Sequence, residues 1–111
     1  MGPAAADAVP LLVQATTDTN HDIRWSAVSG LGRIRARPEL AVPALTEALR
    51  DSDSHLQVDA AVSLAAFGTN AQSAVSGLIT ALSDANPDVR TNAAYALNQI
   101  DPEAAAQAGV K

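Results

Sequence analysis

Apolar residues recur along this chain at helical spacing, in blocks separated by short polar turns. Val42, Leu45 and Leu49 stand at i, i+3 and i+7, a single helical stripe, and Leu56, Ala60, Leu64 and Phe67 stand at i, i+4, i+8 and i+11. The polar stretch Ser83-Asp84-Ala85-Asn86-Pro87-Asp88 holds the residue types that start a helix. Asn86 suits the N-cap, Pro87 the first helical position, and Asp88 the positive end of the helix dipole. The pattern predicts helices over approximately 8–17, 21–35, 40–50, 54–67, 73–83 and 87–100, six in all. No run alternates with a period of two, so the fold class is all-α.

The blocks are copies of one another. Ala8-Val9-Pro10, Ala41-Val42-Pro43 and Ala74-Val75-Ser76 lie 33 residues apart, and the rest follows in register without a gap. Leu12, Leu45 and Leu78 align, as do Ala15, Ala48 and Ala81, then Asp18, Asp51 and Asp84. Further on come Ile23, Leu56 and Val89, then Ala27, Ala60 and Ala93, then Leu31, Leu64 and Leu97, and last Ile34, Phe67 and Ile100. These apolar columns are the expected core. The chain is expected to be one domain over 1–111, with repeats at approximately 8–40, 41–73 and 74–106, each a helical hairpin.

These residues resemble the HEAT repeat, in particular the short HEAT-like form of phycobilisome lyase subunits. The third copy carries the pattern from Ala74 to Ile100, including Asp84, Val89-Arg90, Ala93-Ala94 and Ala96-Leu97. The second carries Ala41-Val42-Pro43, Ala48-Leu49, Asp51, Asp53, Ala60-Ala61 and Leu64. The resemblance implies an α-solenoid, a superhelix of three stacked hairpins. It also implies a structural ladder between repeats, in which the arginine of the second helix meets the turn aspartate. Asp18, Arg24, Asp51, Asp84 and Arg90 would form it, with a neutral gap at Gln57. Ser76 replaces the proline of the first helix in the third copy, and Thr16 and Thr17 interrupt the first apolar stripe, which should make that helix the loosest.

In solenoids of this kind the second helices of successive hairpins line the concave face. Once the core columns are set aside, the outward positions there are Trp25, Val58 and Thr91, and one turn further Ser29, Val62 and Tyr95. The chain has one Trp, one Tyr and one Phe, and Phe67 falls in a core column. The other two aromatics both fall on this outward face, where side chains with an apolar body and a polar tip make good anchors for a protein partner. The expected partner-binding strip is therefore Trp25, Ser29, Val58, Val62, Thr91 and Tyr95.

Charge narrows the choice of partner. Seven basic against twelve acidic residues give a net charge of −5, and the excess lies wholly in residues 51–111. Such a field repels a phosphate backbone, so nucleic acid is not an expected partner. Arg33, Arg35 and Arg37 form a local basic spot where basic residues suit a helix end.

Catalytic and metal chemistry is not signalled. The chain has no cysteine, which excludes disulfides and thiolate sites, and neither a nucleophile elbow nor a phosphate-binding loop occurs. His21 and His55 lie near turns with Asp18, Asp22, Asp51 and Asp53 close by, but each aspartate already has a part in a turn. No cofactor, metal or enzymatic activity is expected. No membrane span or signal peptide is read either, and the cytoplasm is the default compartment.

The expected function is a protein-interaction module, an adaptor or scaffold that binds on the concave face. A role as accessory subunit of an enzyme, such as a bilin lyase-like assembly, is the alternative implied by the resemblance. The outer repeats retain Val9, Leu12 and Val13 at one end and Tyr95, Leu97 and Ile100 at the other, with no charged cap. Either those ends join copies into a homo-oligomer, or the chain is a segment of a longer array.

Overall fold

The structure, a computed structural model, describes residues 3–110. All regular elements among them are helical: α1 (Pro3–Asp7), α2 (Val9–Ala15), α3 (His21–Ile34), α4 (Pro38–Ala48), α5 (Ser54–Phe67), a 3₁₀ segment (Gly68–Ala74), α6 (Val75–Ala81), α7 (Pro87–Ile100) and α8 (Pro102–Gln107). The six expected helices are α2 to α7. Each longer second helix begins at a side-chain cap. Asn20, Asp53 and Asn86 adopt extended backbone and accept hydrogen bonds from N–H groups one turn in, which satisfies donors the helix itself leaves open.

The boundaries depart from the sequence pattern for local reasons. Helix α2 stops at Ala15, as α4 and α6 stop at the aligned Ala48 and Ala81, and the Thr16 and Thr17 hydroxyls donate to the carbonyls of Val13 and Gln14 at 2.7 and 3.1 Å. Helix α4 starts early, at Pro38, behind an Arg37 in the left-handed region (φ 53°). In the third repeat the first helix is split. Residues 68–74 coil as 3₁₀, broken at Ala71 (φ −100°, ψ 21°), and the α-helix proper begins only at Val75.

The helices stack as hairpins in two layers. Helices α3, α5 and α7 pack side by side in one layer, and α2, α4 and the segment leading into α6 form the other. The described residues measure 39 × 27 × 17 Å. The short dimension is what two helix layers at an interaxial spacing of about 8–10 Å require. Between the layers lie the repeated columns: Leu31, Leu64 and Leu97 are fully buried, as are Ala60 with Ala93, and Leu45 with Leu78. Alanines between these leucines let the helices approach closely.

Two expectations about the core and the ends need correction. Ile23, placed in a core column with Leu56 and Val89, is 44% exposed, whereas those two are fully buried. This column faces the preceding repeat, and no described hairpin precedes α2 to cover Ile23. Exposed Leu11 and an apolar hollow of about 600 Å³ lined by Ala5, Leu12, Gly30 and Ile34 lie at the same open end. The opposite end, expected to be uncapped, is covered. Helix α8 folds onto α7, Ala105 is fully buried, Val110 packs on the core, and Leu97 and Ile100 are buried beneath. Past the end of α8 at Gln107, Gly109 takes a positive φ of 90°, and the Val110 N–H returns to the Ala105 carbonyl at 2.9 Å, a stop that favours glycine.

Two of the caps make stability depend on acid. The backbone N–H of His55, 2.8 Å from the Asp53 carboxylate, chiefly holds that carboxyl below its ordinary range, and His21 adds to the effect. Asp101 is lowered in the same way by the Ala104 N–H at 3.0 Å and then by the Gln72 amide at 2.7 Å. A carboxyl with a depressed folded-state pKa stabilises the fold above its unfolded value, near 3.9 for Asp, and loses that contribution as pH falls through the folded value. The melting temperature is therefore expected to drop on acidification below about pH 4. Asp53→Asn keeps a capping oxygen and should flatten this dependence in a pH series of thermal melts. An unchanged slope would contradict the assignment.

Candidate protein-binding face

The face built by α3, α5 and α7 carries the outward positions of the sequence pattern. Trp25, Val62 and Tyr95 are 46%, 45% and 53% exposed, and Thr91 is exposed as well. Ser29 and Val58 are half-buried between the helices. The six residues do not form one continuous pocket. Trp25 and Val58 line a groove of about 500 Å³ at the amino-terminal ends of the three helices. Ser29 and Val62 line an adjoining hollow of about 230 Å³ further along, while Thr91 and Tyr95 line neither.

The spacing of α3 and α5 sets this geometry. The buried Ser63 hydroxyl donates to the Val28 carbonyl at 3.1 Å, across the two helices. A Cβ on Gly32 would stand 2.3 Å from the Ser63 Oγ and 3.0 Å from its Cα, so only glycine admits this approach. At that spacing the Trp25 indole N–H donates to the Asp59 carboxylate across the gap. Asp59 was not among the expected site residues. It holds the column beside the tryptophan with Ser26 and Asn92, and a carboxylate among small polar residues on a helix flank gives little signal in sequence. It lies between the groove and the hollow and lines both.

The ladder runs along the turns at the edge of this face. Arg24 Nε meets Asp51 Oδ1 at 3.1 Å, with both side chains mostly buried. The expected gap at Gln57 is a rung: its amide donates to Asp84 Oδ1 at 3.3 Å and to the Leu49 carbonyl at 2.8 Å. Both rungs span 27 residues, from a second helix to the next repeat's turn aspartate. A neutral amide substitutes for guanidinium because the rung needs a donor at that place more than a charge. Arg90 instead holds the carbonyls of Asp84 and Ala85 in its own turn, as Arg24 also does with Asp18 and Thr19. The Asp18 carboxylate accepts from the Asn20 N–H at 2.8 Å.

The remaining candidates have local partners. His21 Nε2 lies 2.6 Å from Asp53, and among the described residues no group of three or more His, Cys, Asp or Glu could hold a metal ion. In the basic spot, Arg35 closes α3 in the left-handed region and Arg37 pairs with Glu39 at 2.7 Å, which lowers the Glu39 pKa. Arg33 lines the hollow beside Val62. No helix among the described residues is long and apolar enough to cross a membrane.

Stacked two-helix units of 33 residues, linked by a ladder of turn aspartates, define an α-solenoid repeat protein. The chain belongs to the HEAT-repeat family, whose pattern matches residues 2–65 and again 42–108. A search of curated proteins finds no match to the chain.

Proposed function

We propose that the protein is a binding module, an adaptor or scaffold without catalytic activity of its own, which takes a protein partner on the α3–α5–α7 face. HEAT repeats commonly serve as protein-interaction modules. The observation that carries the reading is the exposure of Trp25, Val62 and Tyr95 together on one helical face beside an open groove. Aromatic side chains with a polar tip supply much of the affinity at protein interfaces, and a helical scaffold presents them at little cost in entropy.

Peptides selected from a random library on the wild-type protein should lose affinity for the Trp25→Ala/Tyr95→Ala variant by about tenfold or more. Binders that keep their affinity for a folded double variant would place the binding face elsewhere. The accessory-subunit reading rests on the short-repeat resemblance alone. A change in bilin absorbance on mixing with this protein would favour it.

A further inference from the structure

The groove on this face has an electrostatic character that the apolar anchors do not explain. Asp22, Asp59 and Asp88 line it around Trp25 and Val58, and among the described residues no lysine or arginine does. Two of these carboxylates have a local reason to be there. Asp22 and Asp88 stand in the first turns of α3 and α7, where negative charge offsets the helix dipole. Asp59 has no such reason. It lies mid-helix in α5, half-buried, with His55, Leu56, Val62 and Ser63 as its neighbours three and four residues away.

The Asp59 contact described above is with the Trp25 indole, and among the described residues no lysine or arginine lies within ion-pair distance of it. Arg33 lines the adjoining hollow that Asp59 also borders, and His55, one turn before Asp59, lines the groove. His21, which also lines the groove, is held by Asp53. A carboxylate accepts several hydrogen bonds, and the indole N–H uses one of them. The same contact fixes the indole beside the carboxylate, so an aromatic ring and a negative charge border one open space.

That pairing matches the chemistry of arginine. A guanidinium is planar and weakly hydrated, stacks on aromatic faces, and forms paired hydrogen bonds to carboxylates. Building on the binding face proposed above, we infer that the groove selects a cationic peptide segment of a protein partner. An arginine lies along Trp25 with its guanidinium on Asp59, and flanking basic residues face Asp22 and Asp88. An aliphatic neighbour in the peptide covers Val58 and Val62.

Trp25 is the sole tryptophan, so its emission reports on this site alone. The probes are three acetylated, amidated pentapeptides that alternate leucine with arginine, glutamine or glutamate. The arginine peptide should shift Trp25 emission saturably, with affinity at least about fivefold above that of the glutamine peptide and declining as salt is raised. The glutamate peptide should not bind. Asp59→Asn keeps an oxygen for the indole and hence the fold. It should weaken the arginine peptide by about fivefold, measured by calorimetry so that altered indole emission does not confuse the result. Equal binding of the arginine and glutamine peptides would overturn the charge selection while leaving the binding face intact. Undiminished binding by Asp59→Asn, or no binding of the arginine peptide, would overturn it as well. The library experiment on the Trp25→Ala/Tyr95→Ala variant then decides separately whether the face binds protein at all.

Discussion

Truncating Leu56 to Ala is expected to destabilise the protein by about 2–5 kcal/mol, while the same truncation at Ile23 costs under about 1 kcal/mol. The two residues occupy the same column of the repeat, yet Leu56 is fully buried and Ile23 is 44% exposed. Removing a buried side chain forfeits its transfer free energy and leaves a cavity that close-packed neighbours fill only in part. At Ile23 water already reaches the site, and no cavity forms. A domain of this size has a total stability of about 5–15 kcal/mol, so Leu56→Ala consumes a large share of it. Urea unfolding of both variants beside wild type measures the contrast. Equal losses at the two positions would mean that the open end is covered in solution, and sedimentation or light scattering on the same samples would show by how many copies.

Gly32→Ala is expected to cost about 1–3 kcal/mol, although alanine is the better helix former by about 1 kcal/mol. A Cβ at that position would lie 2.3 Å from Ser63 Oγ, 2.7 Å from its Cβ and 3.0 Å from its Cα. The hydroxyl could rotate away, but only by giving up its hydrogen bond to the Val28 carbonyl, and the backbone atom cannot yield without parting α3 from α5. Ser63→Gly removes two of the three contacts, so Gly32→Ala/Ser63→Gly should be more stable than the sum of the single effects predicts. Additive losses in that double-mutant cycle would show that the helices are not held apart by this contact. Because the same spacing sets the Trp25–Asp59 pair, Gly32→Ala should also alter the emission of Trp25 where Leu56→Ala, if folded, does not.

Much of this fold can be read from the amino-acid sequence because the repeat supplies three measurements of each position. Leu31, Leu64 and Leu97 could be placed in the core from spacing alone, and the turn cap Asn86 from residue type, with Asn20 and Asp53 capping at the same place in their own repeats. What escaped depends on neighbours. Ile23 has the sequence of a core residue, and its burial is decided by whether another hairpin lies against it. Gln57 reads as a break in a ladder of charges, whereas an amide at the same reach also bridges to Asp84. The split of the third hairpin's first helix follows from backbone angles at Ala71 that no side chain announces.

The outward face of α3, α5 and α7 was legible to a similar depth. Trp25, Val62 and Tyr95 could be assigned to the outside by subtracting the core columns, since a helix residue that does not face its neighbours must face water. Which outward residues share a groove could not be obtained that way. That depends on how closely α3 and α5 approach, and so on Gly32 and Ser63, two small residues whose importance lies in what they allow. The pairing of Trp25 with Asp59 is a consequence of that distance.

The difference between the two ends gives the array a direction in which it can be lengthened. A further hairpin grafted ahead of α2 would need to displace only the five-residue α1, whose Ala5 borders the same hollow, to meet Leu11, Leu12 and Ile23, with the Asp18 turn aligned for another rung. A hairpin grafted behind α7 would first have to displace α8 and undo the glycine stop at Gly109. Duplication of the 33-residue unit, by evolution or by design, therefore costs least on the side where Ile23 stands open.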